Sequence, residues 1–212
     1  MFDFSWQAIA ARVLVLFFIL PFHECAHAFV AYKLGDSTAR NQGRMTLNPL
    51  KHLDWYGALL LLVCGFGWAN PVPINARNFK NPKYGMAISA LAGPVANLVL
   101  SFLMLALCRV MMLIPIAGEA MFTVLQALYA VFWQIAWISI TLAVFNLLPV
   151  PPLDGSRIVL LFLPERIYFQ LMRYEMYISL AVMALVLTGV LDTPISWLST
   201  QIYRGMCFIL RF

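Results

Sequence analysis

The run His23-Glu24-Cys25-Ala26-His27 combines residue types and a spacing that can hold a metal ion with a carboxylate at its side. Two histidines four apart lie on one face of an α-helix, where both imidazoles reach a single ion. Glu24 is turned roughly 100° from His23 by the 3.6-residue period. It therefore stands beside the ion and can act as general base towards a water there. The competing reading is a pair of buried histidines that only hydrogen-bond. It fits the setting badly, because the motif lies in an apolar stretch where two imidazoles and a carboxylate are costly without partners.

A catalytic zinc takes three protein ligands and leaves one position for water, so a third ligand must come from elsewhere in the chain. His52, the remaining histidine, sits in a polar loop beside Lys51 and Asp54 and reads as a solvated or loop-packing residue. Cys25 is two residues from each histidine and faces elsewhere on a helix. Asp3, Asp36, Asp54 and Asp192 fall near the N-terminus or in loops. Asp154 differs, following a proline-broken helix end in apolar surroundings, where a carboxylate needs a partner and a divalent cation would serve.

The chain that must position these groups is 63% hydrophobic and 11% charged over 212 residues, with a mean hydropathy of +0.84. Soluble domains run near 45–50% apolar and about 25% charged, so this composition belongs to an integral membrane protein. The length gives room for about four to six spans and for no large soluble domain. Cys25, Cys64, Cys108 and Cys207 form no CxxC pair and read as small buried hydrophobes. No phosphate-binding glycine loop or nucleic-acid motif is present, so the net charge of +5 does not point to a nucleic-acid partner.

Residues 6–32 form one apolar segment long enough to cross a bilayer, and it reads as a retained span rather than a cleaved signal peptide. His27 lies near its closing end, about 8 Å inside at 1.5 Å per residue. Residues 84–114 and 120–148 read as further spans and 176–191 as a fourth apolar run. The amphipathic tail at 194–210 spans weakly or lies on the surface. Residues 57–68 are apolar but too short to cross, and read as a re-entrant or buried segment. The prolines at 71 and 73 exclude helix, so residues 70–78 are expected to form an extended strand or loop whose edge could hold a peptide. Residues 157–175 read as interfacial. With 57–69 not crossing, residues 33–83 hold seven of the fourteen lysines and arginines on one side, and 149–175 adds three more there. This asymmetry places the basic side, and with it the histidine motif and Asp154, towards the cytoplasm. The expected fold is an all-α polytopic membrane protein with a short re-entrant or extended element between the first two clear spans.

Three motifs in order then carry a resemblance. HExxH at residues 23–27, AGPxxN at Ala92 through Asn97, and NxxPxPxLDG at Asn146 through Gly155 together resemble the site-2 protease family of intramembrane zinc metalloproteases. Residues 67–75, Gly-Trp-Ala-Asn-Pro-Val-Pro-Ile-Asn, also resemble the extended segment of the family's compact bacterial and archaeal members, which lack regulatory domains. The resemblance covers about residues 10–165 and is far more specific than HExxH alone. It implies one zinc per chain on His23, His27 and Asp154, with Glu24 as general base. It also implies that Asn97 and Asn146 lie near the catalytic centre, where they help to hold substrate or an oxyanion. The bland readings are a helix-backbone partner for Asn97 and a helix-capping role for Asn146.

The function implied is hydrolysis of peptide bonds in or near transmembrane segments by a single membrane-embedded domain. Its core is at about 6–165, with C-terminal apolar segments at 166–212. Substrates would be single-span membrane proteins such as anti-sigma factors or signal-peptide remnants, in a bacterial or archaeal cytoplasmic membrane. The alternative from another class is a non-catalytic metal-binding membrane protein or metal-ion transporter. A transporter needs polar groups along a path across the membrane, whereas here they concentrate at one end.

Overall fold

The computed structural model describes residues 5–64, 67–164, 167 and 173–212. Its helices are α1 (Trp6–Lys33), α2 (Thr38–Asn41), α3 (Trp55–Cys64), α4 (Pro82–Met111), α5 (Glu119–Asn146), α6 (Asp154–Val159), α7 (Glu175–Leu187) and α8 (Asp192–Leu210). No strand occurs among the described residues. Helices α1, α4 and α5 are long and apolar enough to cross a membrane. The segments Met176–Leu187 and Asp192–Leu210, bent by 81° at the break between them, make a fourth if the pair is one span. This meets the low end of the expected span count. Of the stretch expected at the interface, residues 165–166 and 168–172 lie outside the described residues.

Helix α1 opens with Ser5, whose hydroxyl accepts the Ala8 N–H at 3.3 Å. It widens into a π-turn over Val15–Ile19, where the N–H of Leu20 reaches back to the Val15 carbonyl. Pro21 explains the position of this turn, since its ring would crowd the Phe17 carbonyl of a regular helix and it has no N–H to give. From the turn onward, Ile19, His23 and His27 follow at intervals of four and form one buried face. That face meets α4, the central helix, on which Ser89, Gly93, Asn97, Ser101 and Leu105 make a matching buried stripe. Helix α4 starts at Pro82, which suits a first turn, while the Asn81 side chain accepts the Tyr84 N–H at 3.3 Å. Ile19, Leu100 and Ile135 form the apolar cluster where α1, α4 and α5 meet.

The C-terminal tail is the helix α8, and it packs on α4 and α5. Trp133 Nε1 donates to the Tyr203 hydroxyl at 3.2 Å, and the Tyr203 ring stands edge-on to Trp137. The short apolar segment is the ten-residue helix α3. An antiparallel bridge pairs Leu53 with Ala69, and the Asn70 N–H donates to the His52 carbonyl at 2.9 Å. The residues that flank the stretch at 54–68 thus lie together, as those of a re-entrant element do. The return of this hairpin is tight, because a Cβ on Gly67 would lie 2.0 Å from the Gly57 carbonyl oxygen. At its far end Arg12 of α1 donates to the Leu62 carbonyl at 2.7 Å. That carbonyl is among the last four of α3, which lack helical partners.

The segment expected to be extended over 70–78 is free of helix only through residue 75, where Asn75 is extended. It makes no strand ladder and closes in a 3₁₀ turn at Ala76–Asn78, started by the Asn75 side chain accepting the Arg77 N–H at 3.1 Å. Val72 and Ile74 pack with Ala28 of α1, Ala39 of α2 and Met45.

Candidate metal centre

His23 and His27 meet edge to face on the inner face of α1, with ring centroids 4.5 Å apart and planes at 86°. Asp154 arrives from far along the sequence, beyond α5. After α5 stops at Asn146, the proline-rich turn doubles back through N–H bonds from Val150 to the Leu148 carbonyl and from Leu153 to the Val150 carbonyl. Asp154 then opens α6. Gly155 makes this close return possible, since a Cβ there would lie 2.2 Å from the Leu147 carbonyl oxygen. As a result Asp154 Oδ2 lies 3.2 Å from His23 Nε2 and 3.4 Å from His27 Nε2, and the two imidazole nitrogens are 2.9 Å apart.

Two of these separations match the edge of a tetrahedral zinc site, about 3.3 Å for bonds of about 2.0–2.1 Å, and the nitrogen pair is somewhat closer. The three residues form the only such cluster of His, Cys, Asp or Glu among the described residues. The chemistry of the donors agrees. His27 Nδ1 lies 2.7 Å from the Ser89 carbonyl oxygen, which can only accept, so the proton is on Nδ1 and the lone pair on Nε2 faces the cluster. Two nitrogens and a carboxylate oxygen converging with their lone pairs are stabilised by a cation.

Helix α4 fits against this pair because residue 93 is glycine. A Cβ there would lie 2.4 Å from His27 Nε2 and 2.5 Å from His23 Cε1. Asn97, one turn further on, is 1% exposed, and neither its amide oxygen nor its nitrogen has a hydrogen-bond partner among the described residues. A backbone-paired Asn97 is therefore not what the fold contains. Glu24 is not among the clustered ligand atoms, and its Oε2 accepts the Val72 N–H at 3.0 Å.

A cavity of about 490 Å³ opens beside these groups. His23, Glu24, Asn97, Asn146 and Asp154 line it, with Trp68 from the re-entrant hairpin and Val182 and Met183 from α7 closing other sides. His52 lies elsewhere, buried in the root of the hairpin with Nε2 2.8 Å from the Thr46 carbonyl oxygen. Cys25 is not in the cluster. The arrangement thus offers three metal-ligating atoms, a carboxylate beside them, two amides, and a largely aliphatic chamber.

Comparison with known proteins follows the same residues. The model of peptidase family M50 matches residues 11–189. The chain belongs to peptidase family M50, the site-2 proteases. A Bacillus subtilis (strain 168) protein named "Putative zinc metalloprotease YwhC" is 44% identical over 166 residues, covering 78% of this chain and 74% of that protein. "Putative zinc metalloprotease Rip2" of Mycolicibacterium smegmatis is 32% identical over 145 residues, 64% of this chain, and the chain spans about half, 51%, of that relative. Rip2 of Mycobacterium tuberculosis H37Rv is 29% identical over 144 residues, covering 64% of the chain and 51% of that protein. No solved structure gives a significant match. With its apolar helices, the chain is an integral membrane member of this metalloprotease family.

Some groups around the candidate centre carry little or no sequence signal of their own. Ser89 acts through its carbonyl, which every residue type has. The Val72 N–H had a faint one, since in Pro71-Val72-Pro73 it is the one main-chain donor. The wall supplied by α7 had none, because Val182 and Met183 are ordinary residues of an apolar helix.

Proposed function

We propose that this chain is an intramembrane zinc endopeptidase that hydrolyses peptide bonds in or near the transmembrane segment of single-span membrane proteins. Anti-sigma factors and signal-peptide remnants are the kinds of substrate that regulated intramembrane proteolysis would supply. The observation that carries the reading is the convergence of His23, His27 and Asp154 at 2.9–3.4 Å with Glu24 on the lining of the same cavity. His23, His27 and Asp154 would hold one zinc. When bound, it supplies Lewis acidity that polarises a carbonyl and acidifies water.

The remaining steps belong to the chain's own groups. The Ser89 carbonyl fixes the His27 tautomer. Glu24 accepts a proton from the attacking water and delivers it to the leaving amine, the usual work of a general base that turns acid. Asn97 has two unpartnered amide atoms in a buried position and is suited to hold a substrate carbonyl or the oxyanion that develops from it. Asn146, at the end of α5, lines the cavity from the other side. The excess of lysine and arginine on the side of the loops at 34–81 supports a cytoplasmic position for this end, in a bacterial or archaeal cytoplasmic membrane.

The test uses full-length protein in lipid with a panel of single-span substrates. Cleavage by the wild type that chelator removes and zinc restores, and that Glu24→Gln lowers by at least 10³-fold while zinc stays bound, is the expected result. Equal cleavage by Glu24→Gln would end the assignment.

A further inference from the structure

We infer that Asp36, outside the metal cluster, is a positioning residue that sets the general base through the segment at 71–78, an inference that rests on the proteolytic reading above. Asp36 follows the turn that ends α1, with Gly35 at φ +113° and the Asp36 N–H returning to the Ala31 carbonyl at 2.9 Å. It is 0% exposed. Oδ1 accepts from the Thr38 N–H at 3.0 Å, the Thr38 hydroxyl at 2.5 Å and the Asn78 amide at 2.7 Å, and Oδ2 accepts from the Asn75 N–H at 2.7 Å. A buried carboxylate saturated in this way is a rigid anchor, since each donor removed leaves charge without a partner.

What Asp36 anchors leads directly to Glu24. Three residues before Asn75, the Val72 N–H donates to Glu24 Oε2 at 3.0 Å. The intervening chain is outside any helix and stiff, with proline on both sides of Val72. Val72 and Ile74 also press on Ala28, on the first turn after Glu24. The segment is thus clipped along the end of α1 at two carboxylates of that helix and its cap, Glu24 and Asp36. Glu24 has the mobility of any glutamate side chain, and the clip restricts it to one orientation beside the ligand cluster. Positioning of this kind acts on the chemical step, where a shift of about 1 Å costs up to 10²-fold.

The experiment measures kcat, KM and zinc per chain for the full chain in lipid on one cleaved single-span substrate. The variants are Asp36→Asn, Asn78→Ala, Val72→Pro, and the double variant Asp36→Asn with Val72→Pro. Proline at 72 removes the N–H from a chain already outside any helix. The expected result is a kcat about tenfold or more lower for Asp36→Asn and Val72→Pro, with KM within twofold and zinc content unchanged. The double variant should be no worse than the weaker single, because both changes break one coupling. Unchanged kcat in Asp36→Asn, a loss of zinc, a change confined to KM, or losses that multiply in the double variant would each overturn the inference. Should Asp36→Asn fail to fold, Asn78→Ala is judged by the same criteria. A wild type that cuts nothing removes the proteolytic reading and this inference together. Cleavage by wild type and Asp36→Asn alike removes this inference alone.

Discussion

Gly93 is where packing and chemistry meet in one residue. Its lack of a side chain lets the α4 backbone approach both imidazoles, and a methyl group would lie 2.4–2.5 Å from three of their ring atoms. The rings could yield only by rotating away from Asp154, since the backbone of α4 is fixed by the buried stripe on either side. Gly93→Ala is therefore expected to weaken zinc binding by about 10–100-fold, the range seen when groups that orient metal ligands are disturbed. Competition with a chromogenic chelator reads this, and unchanged helical content in the same sample separates it from unfolding. Affinity equal to wild type would mean that the imidazoles are not held by this contact. At this scale the sequence was legible where residue type carries the chemistry. His23, Glu24, His27 and Asp154 stand out because such groups are costly in an apolar chain. The Ser89 carbonyl does not stand out, since every residue type has one, and the Val72 N–H does so only faintly, as the one main-chain donor in Pro71-Val72-Pro73.

Among the elements, the long apolar helices and the re-entrant hairpin were readable from length alone. Ten residues of α3 rise only about 15 Å, half a bilayer. What holds the hairpin was not readable. The Arg12 guanidinium meets a carbonyl fifty positions away, and a contact of that range depends on tertiary packing. The extended segment was half legible, as its prolines excluded helix but did not say that it would stop at Asn75. At that boundary the Asn75 N–H donates to Asp36, whose hydrogen bonds make a prediction about pH. Burial alone would raise its pKa, but the bonds from Thr38, Asn78 and Asn75 outweigh burial and hold it below the ordinary carboxylate value. A lowered folded pKa stabilises the fold above the unfolded value of about 3.9. That stabilisation is lost as pH falls through the folded value, because the unfolded chain binds the proton first. Asp36→Asn should accordingly melt earlier than wild type at pH 6, by about 1–3 kcal/mol of stability. The gap should narrow below about pH 4. A gap that stays constant down to pH 3 would show that the carboxylate's charge is not what the donors stabilise.

For the molecule as a whole, the cluster joins parts of the chain that neighbouring sequence does not join. Two candidate ligand atoms come from α1 and the third from the start of α6, with α4 supplying the Ser89 carbonyl and the space at Gly93. An ion held there favours only the state in which α1, α4 and the turn are docked together. Metal binding and folding are then linked, and free zinc at about 100 times its dissociation constant should add about 2.7 kcal/mol to the stability of the folded protein. The thermal midpoint in detergent should therefore rise with zinc and fall with chelator in the wild type. Asp154→Ala, with two ligands left, should lose most of that response. Glu24→Gln should keep all of it, because Glu24 does not belong to the ligand cluster. Comparing the two variants separates the groups that would bind the ion from the one that would use it. A zinc response that survives loss of Asp154 would place the ion elsewhere. One that disappears in Glu24→Gln would make that carboxylate a ligand and leave the site without its base.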